Sequence, residues 1–297
     1  MVEQINKSYI LYNDNHVIHT REYYNYIVGL FKTWLGNKDI GINVILGNQT
    51  MGFNNNNKTI RIDIQCEHTL VMDGGRSVGE RVYGNVKHQN GNYLVRIDKY
   101  DYFNSLDVII EYSLPNMFNI SSSGKFDSYY SKNIYIAPTL YDENFSSVDK
   151  TDIITLFTRS GNQRRLNILN EMDKLNIPNN TIEGCFSNDC ILDLYRKSKI
   201  LVNVHQTDHH HTFEELRVLP ALLNGVIIVS EDVPLKETIK YSEYIVWADY
   251  GDIANKTLEV MNDYSNYHNK LFGDGKISVI LDDLKKNNLE SINRLKI

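Results

Sequence analysis

Residues 199–231, KILVNVHQTDHHHTFEELRVLPALLNGVIIVSE, leave the chain few folds to choose from. The run 200–204 (ILVNV) is short and β-branched, as a strand buried on both faces of a parallel sheet should be. It ends at His205 and opens into a polar loop, 206–211. Thr212 is placed to cap a helix beginning at Phe213, with Glu214 and Glu215 in the electropositive first turn. Asn224-Gly225 stops that helix, and 226–229 (VIIV) makes a second buried strand. Two parallel strands joined by a helix bring His205, the polar loop, Ser230 and Glu231 to one carboxyl edge of a sheet. Open α/β sheets bind ligands at that edge.

The rest of the chain repeats the alternation. Strands are expected at 8–12, 42–46, 60–65, 94–97, 108–110 and 133–137, with a helix carrying Tyr24, Ile27, Phe31, Trp34 and Leu35 at helical spacing. Residues 71–92 hold five glycines and no clear period, and read as an irregular surface excursion with a hairpin. A polar, apolar-poor stretch at 146–151 serves as a linker. Beyond it come strands at 153–158, 181–183 and 244–247, and helices at 166–175, 191–196 and 253–261. The tail from Lys276 has an apolar helical stripe (Ile280, Leu284) able to pack across a domain boundary. The fold class is therefore α/β, with two Rossmann-like domains, 1–148 and 149–275, and a C-terminal helix over 276–297.

A net charge of −6 argues against a nucleic-acid partner, which would call for a basic stripe. No apolar run approaches the ~18 residues of a membrane span, and the first residues lack the pattern of a signal peptide. A cytoplasmic protein is expected, in the host cytoplasm if the source is viral. The three cysteines, Cys66, Cys185 and Cys190, lack a CxxC pair and read as reduced thiols. No cofactor and no metal are expected. His209-His-His211 has no accompanying carboxylate pattern, and consecutive histidines rarely converge on one ion.

Several segments, in order, resemble the GT-B glycosyltransferases, closest to the CgeB-like branch of the group 1 type. They are IDIQCEH (62–68), DVIIEYSLPN (107–116), IAP (136–138), FTRSGNQRRLNIL (157–169), the stretch from Ile182 through His205, and EELRVLPALLNGVIIVSE (214–231). The resemblance implies two Rossmann-like domains facing a cleft, with a nucleotide-sugar donor on the C-terminal one and a glycan or other hydroxyl acceptor against the N-terminal one. Many retaining members carry two glutamates separated by seven residues. Thr212 and Pro220 stand at those positions here, and Glu214 with Arg217, one turn apart, stand in their place.

On this footing the donor's diphosphate belongs to Arg159, Ser160, Gly161, Asn162, Arg164 and Arg165, where a strand turns into a helix. Arg164 or Arg165 is the phosphate ligand. Arg217 reaches the diphosphate, while Glu214 binds a donor hydroxyl or orients the arginine. Glu215 points elsewhere and faces solvent. Gly184 and Phe186 border the nucleobase, and Ser230 and Glu231 offer a ribose contact. For catalysis the candidates are His205, at the end of its strand, and Glu67, as a general base from the other domain. Glu111, Ser113 and Asn116 lie on the acceptor side. Competing readings are a nucleotide-sugar 2-epimerase, which needs no acceptor, and a degenerate nucleotide- or carbohydrate-binding protein.

Overall fold

The structure, a computed structural model, describes residues 1–13, 20–49, 52–72, 82–88, 91–157, 162–185 and 187–295, with only the backbone described at 82–88 and 91–92. The chain opens with a hairpin, β1 (Val2–Ile5) and β2 (Ser8–Leu11), followed by α1 (Arg21–Gly36), β3 (Ile42–Leu46) and β4 (Lys58–Gln65). Next come β5 (Leu70–Met72), β6 (Val82–His88), β7 (Gly91–Arg96), α2 (Tyr100–Asn104), β8 (Val108–Glu111), α3 (Leu114–Ser122), α4 (Asp127–Tyr130) and β9 (Asn133–Tyr135). Six of the strands form one sheet in the order β1-β2-β3-β4-β8-β9, parallel throughout except for the β1 edge. The two-residue period of a strand divides β8 between two cores: Val108 and Ile110 join the core under α1, and Ile109 joins Phe103, Ile120 and Tyr129 from α2, α3 and α4. Those three helices have five, nine and four residues. They are too short for an apolar period to reveal them, and the sequence reading has no helix there.

The region read as a surface excursion is a three-stranded antiparallel sheet, β5-β7-β6, inserted between β4 and β8. It is tied to the rest of the protein through the histidine run. Met72 N donates to His209 O at 2.8 Å and His211 N to Leu70 O at 3.1 Å, so that 209–211 runs as an added strand beside β5.

The second half holds β10 (Asp152–Thr155), α5 (Gln163–Lys174), β11 (Asn180–Thr181), α6 (Asn188–Lys197), β12 (Ser198–Asn203), α7 (Glu215–Leu223), β13 (Ile227–Glu231), β14 (Ile245–Ala248), α8 (Ile253–Asn262), α9 (Tyr264–Phe272) and α10 (Lys276–Asn293). Its five strands are all parallel, in the order β11-β10-β12-β13-β14. The order reverses between β10 and β12, which opens a crevice at their carboxyl ends. The stretch read as a linker is anchored rather than loose. Lys150 is buried and donates to the carbonyls of Tyr195, Ser198 and Asn224 at 3.0, 3.0 and 2.7 Å. Gly225, at φ +65°, lies so close to the chain that a Cβ there would sit 2.9 Å from Phe145 Cα. Helix α10 gives Ile277, Leu281 and Leu284 to the core of the second sheet and Ile292 to that of the first. Between them, Asn288 brackets Ala137, accepting from its N and donating to its O, both at 2.8 Å.

Three expectations are corrected. Helix α7 begins at Glu215, not Phe213, because Phe213 is fully buried against the Trp247 ring at 5.2 Å. Thr212 caps nothing: its hydroxyl donates to Asn116 Oδ1 at 2.8 Å and accepts from Leu70 N. Cys185 and Cys190 are not reduced thiols but a disulfide, because the turn into α6 brings their Cα atoms to 5.7 Å, within bridging range. Cys66 remains free.

Candidate functional site

A cleft of about 480 Å³ lies where the carboxyl ends of the two large sheets meet. From the first half it is lined by Thr20, Cys66, His68 and Tyr112, which follow β2, β4 and β8. From the second half come Phe157 after β10, the turn Ile182–Cys185 after β11, Gln206 after β12, and Glu214 and Arg217 at the start of α7. The crevice created by the reversal of strand order is thus occupied by polar groups with an apolar wall behind them.

Asn162, Arg165 and Arg217 form the electropositive side. Asn162 caps α5 by accepting from Arg165 N at 3.0 Å, and its amide donates to Gln206 O. The Arg165 guanidinium lies over Phe157 at 4.8 Å and donates through Nε and Nη2 to Val204 O at 3.3 and 3.1 Å. Arg217 Nη1 donates to Asn203 Oδ1 at 3.1 Å, and Asn203 Nδ2 to Ser230 Oγ at 3.0 Å. Arg217 Nη2 stands 3.6 Å from Glu214 Oε2. Burial pushes the Glu214 carboxyl up, but Arg217, then His68, Arg165 and His205, outweigh it and hold the group at about 2. Gly184, at φ +78°, has open space where a side chain would project, so its backbone faces the cleft unobstructed.

Arg164 faces away from this cluster. It forms a two-pronged pair with Glu231, through Nη1 to Oε2 at 2.6 Å and through Nη2 to Oε1, and its guanidinium stacks on Tyr250 at 3.9 Å. Glu231 also accepts from His205 N at 3.0 Å. Neither Arg164 nor Glu231 lines the cleft, and Ser230 is fully buried beneath it. His205 is also buried, and burial lowers its ring to about 4. Arg159, Ser160, Gly161 and Phe186 lie outside the described residues.

The candidates from the first half are placed differently from the reading of the sequence. Glu67 is exposed, 3.6 Å from Arg96 Nη2, and does not line the cleft, whereas its neighbours Cys66 and His68 do. Glu111 is fully buried, accepting at Oε1 from Tyr112 N, Ser113 N and Asn116 Nδ2, each at 3.1 Å. Burial pushes its carboxyl to about 8. With Ser113 and Asn116 it forms a polar knot behind Tyr112, and only Tyr112 of that group reaches the cleft. Glu215, expected in solvent, is fully buried and accepts from Leu114 N at 3.0 Å, Tyr135 OH at 2.6 Å and Tyr241 OH at 2.8 Å. The loss of first-turn solvent is made good by three donors from three elements.

The residue that sequence reasoning missed is His68. Its Nε2 lies 3.7 Å from Glu214 Oε1, and its ring stacks on His210 with centroids 5.0 Å apart and planes 4° apart. His210 in turn meets Arg96 Nη1 at 3.0 Å. No local pattern marks His68, because β4 ends at Gln65 and the chain bends at Glu67, so tertiary contacts set which side chain there faces the cleft.

No family model matches the chain. An uncharacterized protein of Acanthamoeba polyphaga mimivirus is 34% identical over 108 residues, which is 34% of this chain and 37% of that protein. The match therefore spans little more than a third of the curated relative's length. A crystal structure of a GtfA/B complex bound to UDP and GlcNAc aligns with 89% of this chain and 60% of its own, at 12% identity and a TM-score of 0.28. A likeness that weak carries no argument about function. Among the described residues no helix is long and apolar enough to cross a membrane. What stands is a mixed α/β protein with parallel sheets whose carboxyl ends meet at a polar, arginine-bearing cleft.

Proposed function

We propose that the chain is a glycosyltransferase that moves a sugar from a nucleoside-diphosphate sugar to a hydroxyl of a glycan or similar acceptor, without a metal. In this reading the two halves are the two Rossmann-like domains of a GT-B enzyme, with the donor on the second. The single observation that carries it is the pairing of Arg165 and Arg217 in a cleft at the point where the parallel strand order reverses. Two guanidiniums and the start of α5 would stabilise the negative charge that grows on a departing diphosphate. The backbone at Gly184 and the apolar surface of Leu156 and Ile182 would take the nucleobase. Glu214, ionised, accepts a hydrogen bond from a donor hydroxyl, and His68 replaces Glu67 as the group positioned to take the acceptor's proton.

The test is calorimetric titration with UDP-, GDP-, dTDP- and CMP-sugars, followed by turnover assays on each nucleotide bound. Micromolar binding of one nucleotide class with sugar release to an added acceptor is expected. No binding to any of the four would end the reading. A second reading, a nucleotide-binding protein without turnover, is favoured by one observation: Glu67, the carboxylate expected as base, is exposed and does not line the cleft. Binding without transfer or hydrolysis across a broad acceptor set would select it.

A further inference from the structure

A second cavity, about 460 Å³, lies against a face of α6 adjacent to the one that lines the cleft. The helix serves both: Ile191 and Tyr195 face the cleft, while Leu192 and Arg196, each one position further on, face the second cavity. Residues four apart share a helix face, so the two pairs look in adjacent directions. The wall between the cavities is aromatic. Tyr141, from the second cavity, meets Tyr195, from the cleft, edge to face at 6.4 Å.

The lining combines flat apolar surface with polar groups left unused. Tyr26 and Tyr141 present rings, and Leu192 adds aliphatic surface. Lys285 is neutralised by Glu143 at 2.9 Å and lies 3.8 Å from Asp282. The exposed side chains of Arg196 and Asp142 make no hydrogen bond or ion pair among the described residues, one a planar donor and the other a planar acceptor. With one free cation, one free carboxylate and a lysine already paired, the pocket has no excess positive charge to select a phosphate. Aromatic rings that cover C–H faces, beside a guanidinium and a carboxylate that hydrogen-bond vicinal hydroxyls, are suited to an uncharged sugar.

We infer that the pocket bounded by Tyr26, Tyr141, Leu192, Arg196 and Asp142 is a binding site for a neutral saccharide, separated from the cleft by the Tyr141–Tyr195 pair. The choice of a sugar rests in part on the proposed function, but the pocket's chemistry does not depend on the cleft.

The experiment incubates the labelled full chain and its Arg196→Ala and Asp142→Ala variants on an array of immobilised neutral and acidic oligosaccharides. Nucleotide affinity is measured in parallel by calorimetry. Both substituted side chains belong to exposed residues, so the fold should be unaffected. The expected result is capture by one or more neutral saccharides, reduced at least tenfold in both variants while nucleotide affinity is unchanged. Capture by no neutral saccharide, equal capture of the variants, or capture by acidic saccharides alone would each overturn the inference. If the wild-type chain binds saccharide but no nucleotide, the reading of the cleft fails and this one stands.

Discussion

Nε2 of His68 lies 3.7 Å from Oε1 of Glu214, joining the turn after β4 to the start of α7 across the cleft. The same carboxylate faces Arg217 on its other oxygen, and Arg217 is held by Asn203 from β12. A polar chain thus runs from the second sheet to the first through the floor of the cleft. Its central member, held at about 2, is ionised at any working pH and accepts hydrogen bonds rather than protons.

Glu214→Gln tests that role. The substitution keeps the shape but removes the charge that would hold a ligand hydroxyl. A hydrogen bond to a charged group contributes about 1.5–3 kcal/mol, so the preference for a nucleotide sugar over its bare nucleotide should fall about tenfold or more. Affinity for the bare nucleotide should hold or rise, because a negative charge beside Arg165 and Arg217 is gone. Calorimetry with both ligands measures the ratio, and an unchanged ratio would remove Glu214 from sugar recognition.

Glu215 gives the fold a pH dependence. Burial raises its carboxyl to about 7, although Tyr135, Leu114 and Tyr241 donate to it and pull the other way. A raised carboxyl favours folding most below its ordinary value near 4.5, and this contribution is lost as pH rises through about 7. Glu111, raised to about 8, acts in the same direction over a slightly wider window. Buried histidines act the other way, since His205, held at about 4, gains stability as pH rises toward its ordinary value, so the Glu215 contribution is read as a difference between two proteins. Relative to the wild type, Glu215→Gln, which has no charge to gain, should become more stable by up to about 3 kcal/mol between pH 5 and pH 8 in urea unfolding. A variant with the wild-type slope would show that Glu215 is not the titrating group.

The parts of this fold that the sequence reveals are those set by local rules. The buried runs at β3, β12 and β13 and the apolar stripe of α1 follow from periodicity. The site is less legible because its members are chosen by which side chain faces which across the cleft. Arg164 and Arg165 are indistinguishable as neighbours in a list, yet one turns to Glu231 and the other to Phe157. Glu215 reads as a first-turn surface residue until β9 and the Tyr241 turn supply its donors. The histidine run attracts a metal interpretation because the strand pairing with β5 that occupies its backbone is made with residues about 140 positions earlier. No local pattern encodes that distance.

Lys150 illustrates how a polar linker can be fixed. Its ammonium is buried and donates to carbonyls in the last turn of α6, at the first residue of β12 and at the C-cap of α7. Burial lowers it to about 8. Lys150→Met fills similar volume but removes the lysine's hydrogen bonds from the carbonyls of Ser198 and Asn224, while Tyr195 O keeps the one from Ser198 N. Each orphaned group costs about 1–3 kcal/mol, so a loss on the order of 3 kcal/mol or more is expected by urea unfolding. A loss under about 1 kcal/mol would mean that water satisfies the carbonyls and that the lysine is not what anchors the linker.

The adjacent arginines of α5 separate a structural role from a binding one. Arg164 and Glu231 are both largely buried, at 18% and 7% side-chain exposure, and their two-pronged contact is the main partner each has. Arg164→Ala strands the Glu231 carboxylate with only His205 N to stabilise it, which should lower stability by about 3 kcal/mol or more. Arg165→Ala leaves every ion pair among the described residues intact and removes one of two guanidiniums from the cleft. It should cost about 1–3 kcal/mol through the hydrogen bonds lost at Val204 O, less than Arg164→Ala, but weaken nucleoside-diphosphate binding at least tenfold, with a weaker dependence of the remaining affinity on salt. Thermal unfolding and calorimetry on the two variants form a two-by-two comparison. If Arg164→Ala instead abolishes nucleotide binding at unchanged stability, Arg164 must release Glu231 and swing into the cleft, and the assignment of the diphosphate to Arg165 and Arg217 is wrong.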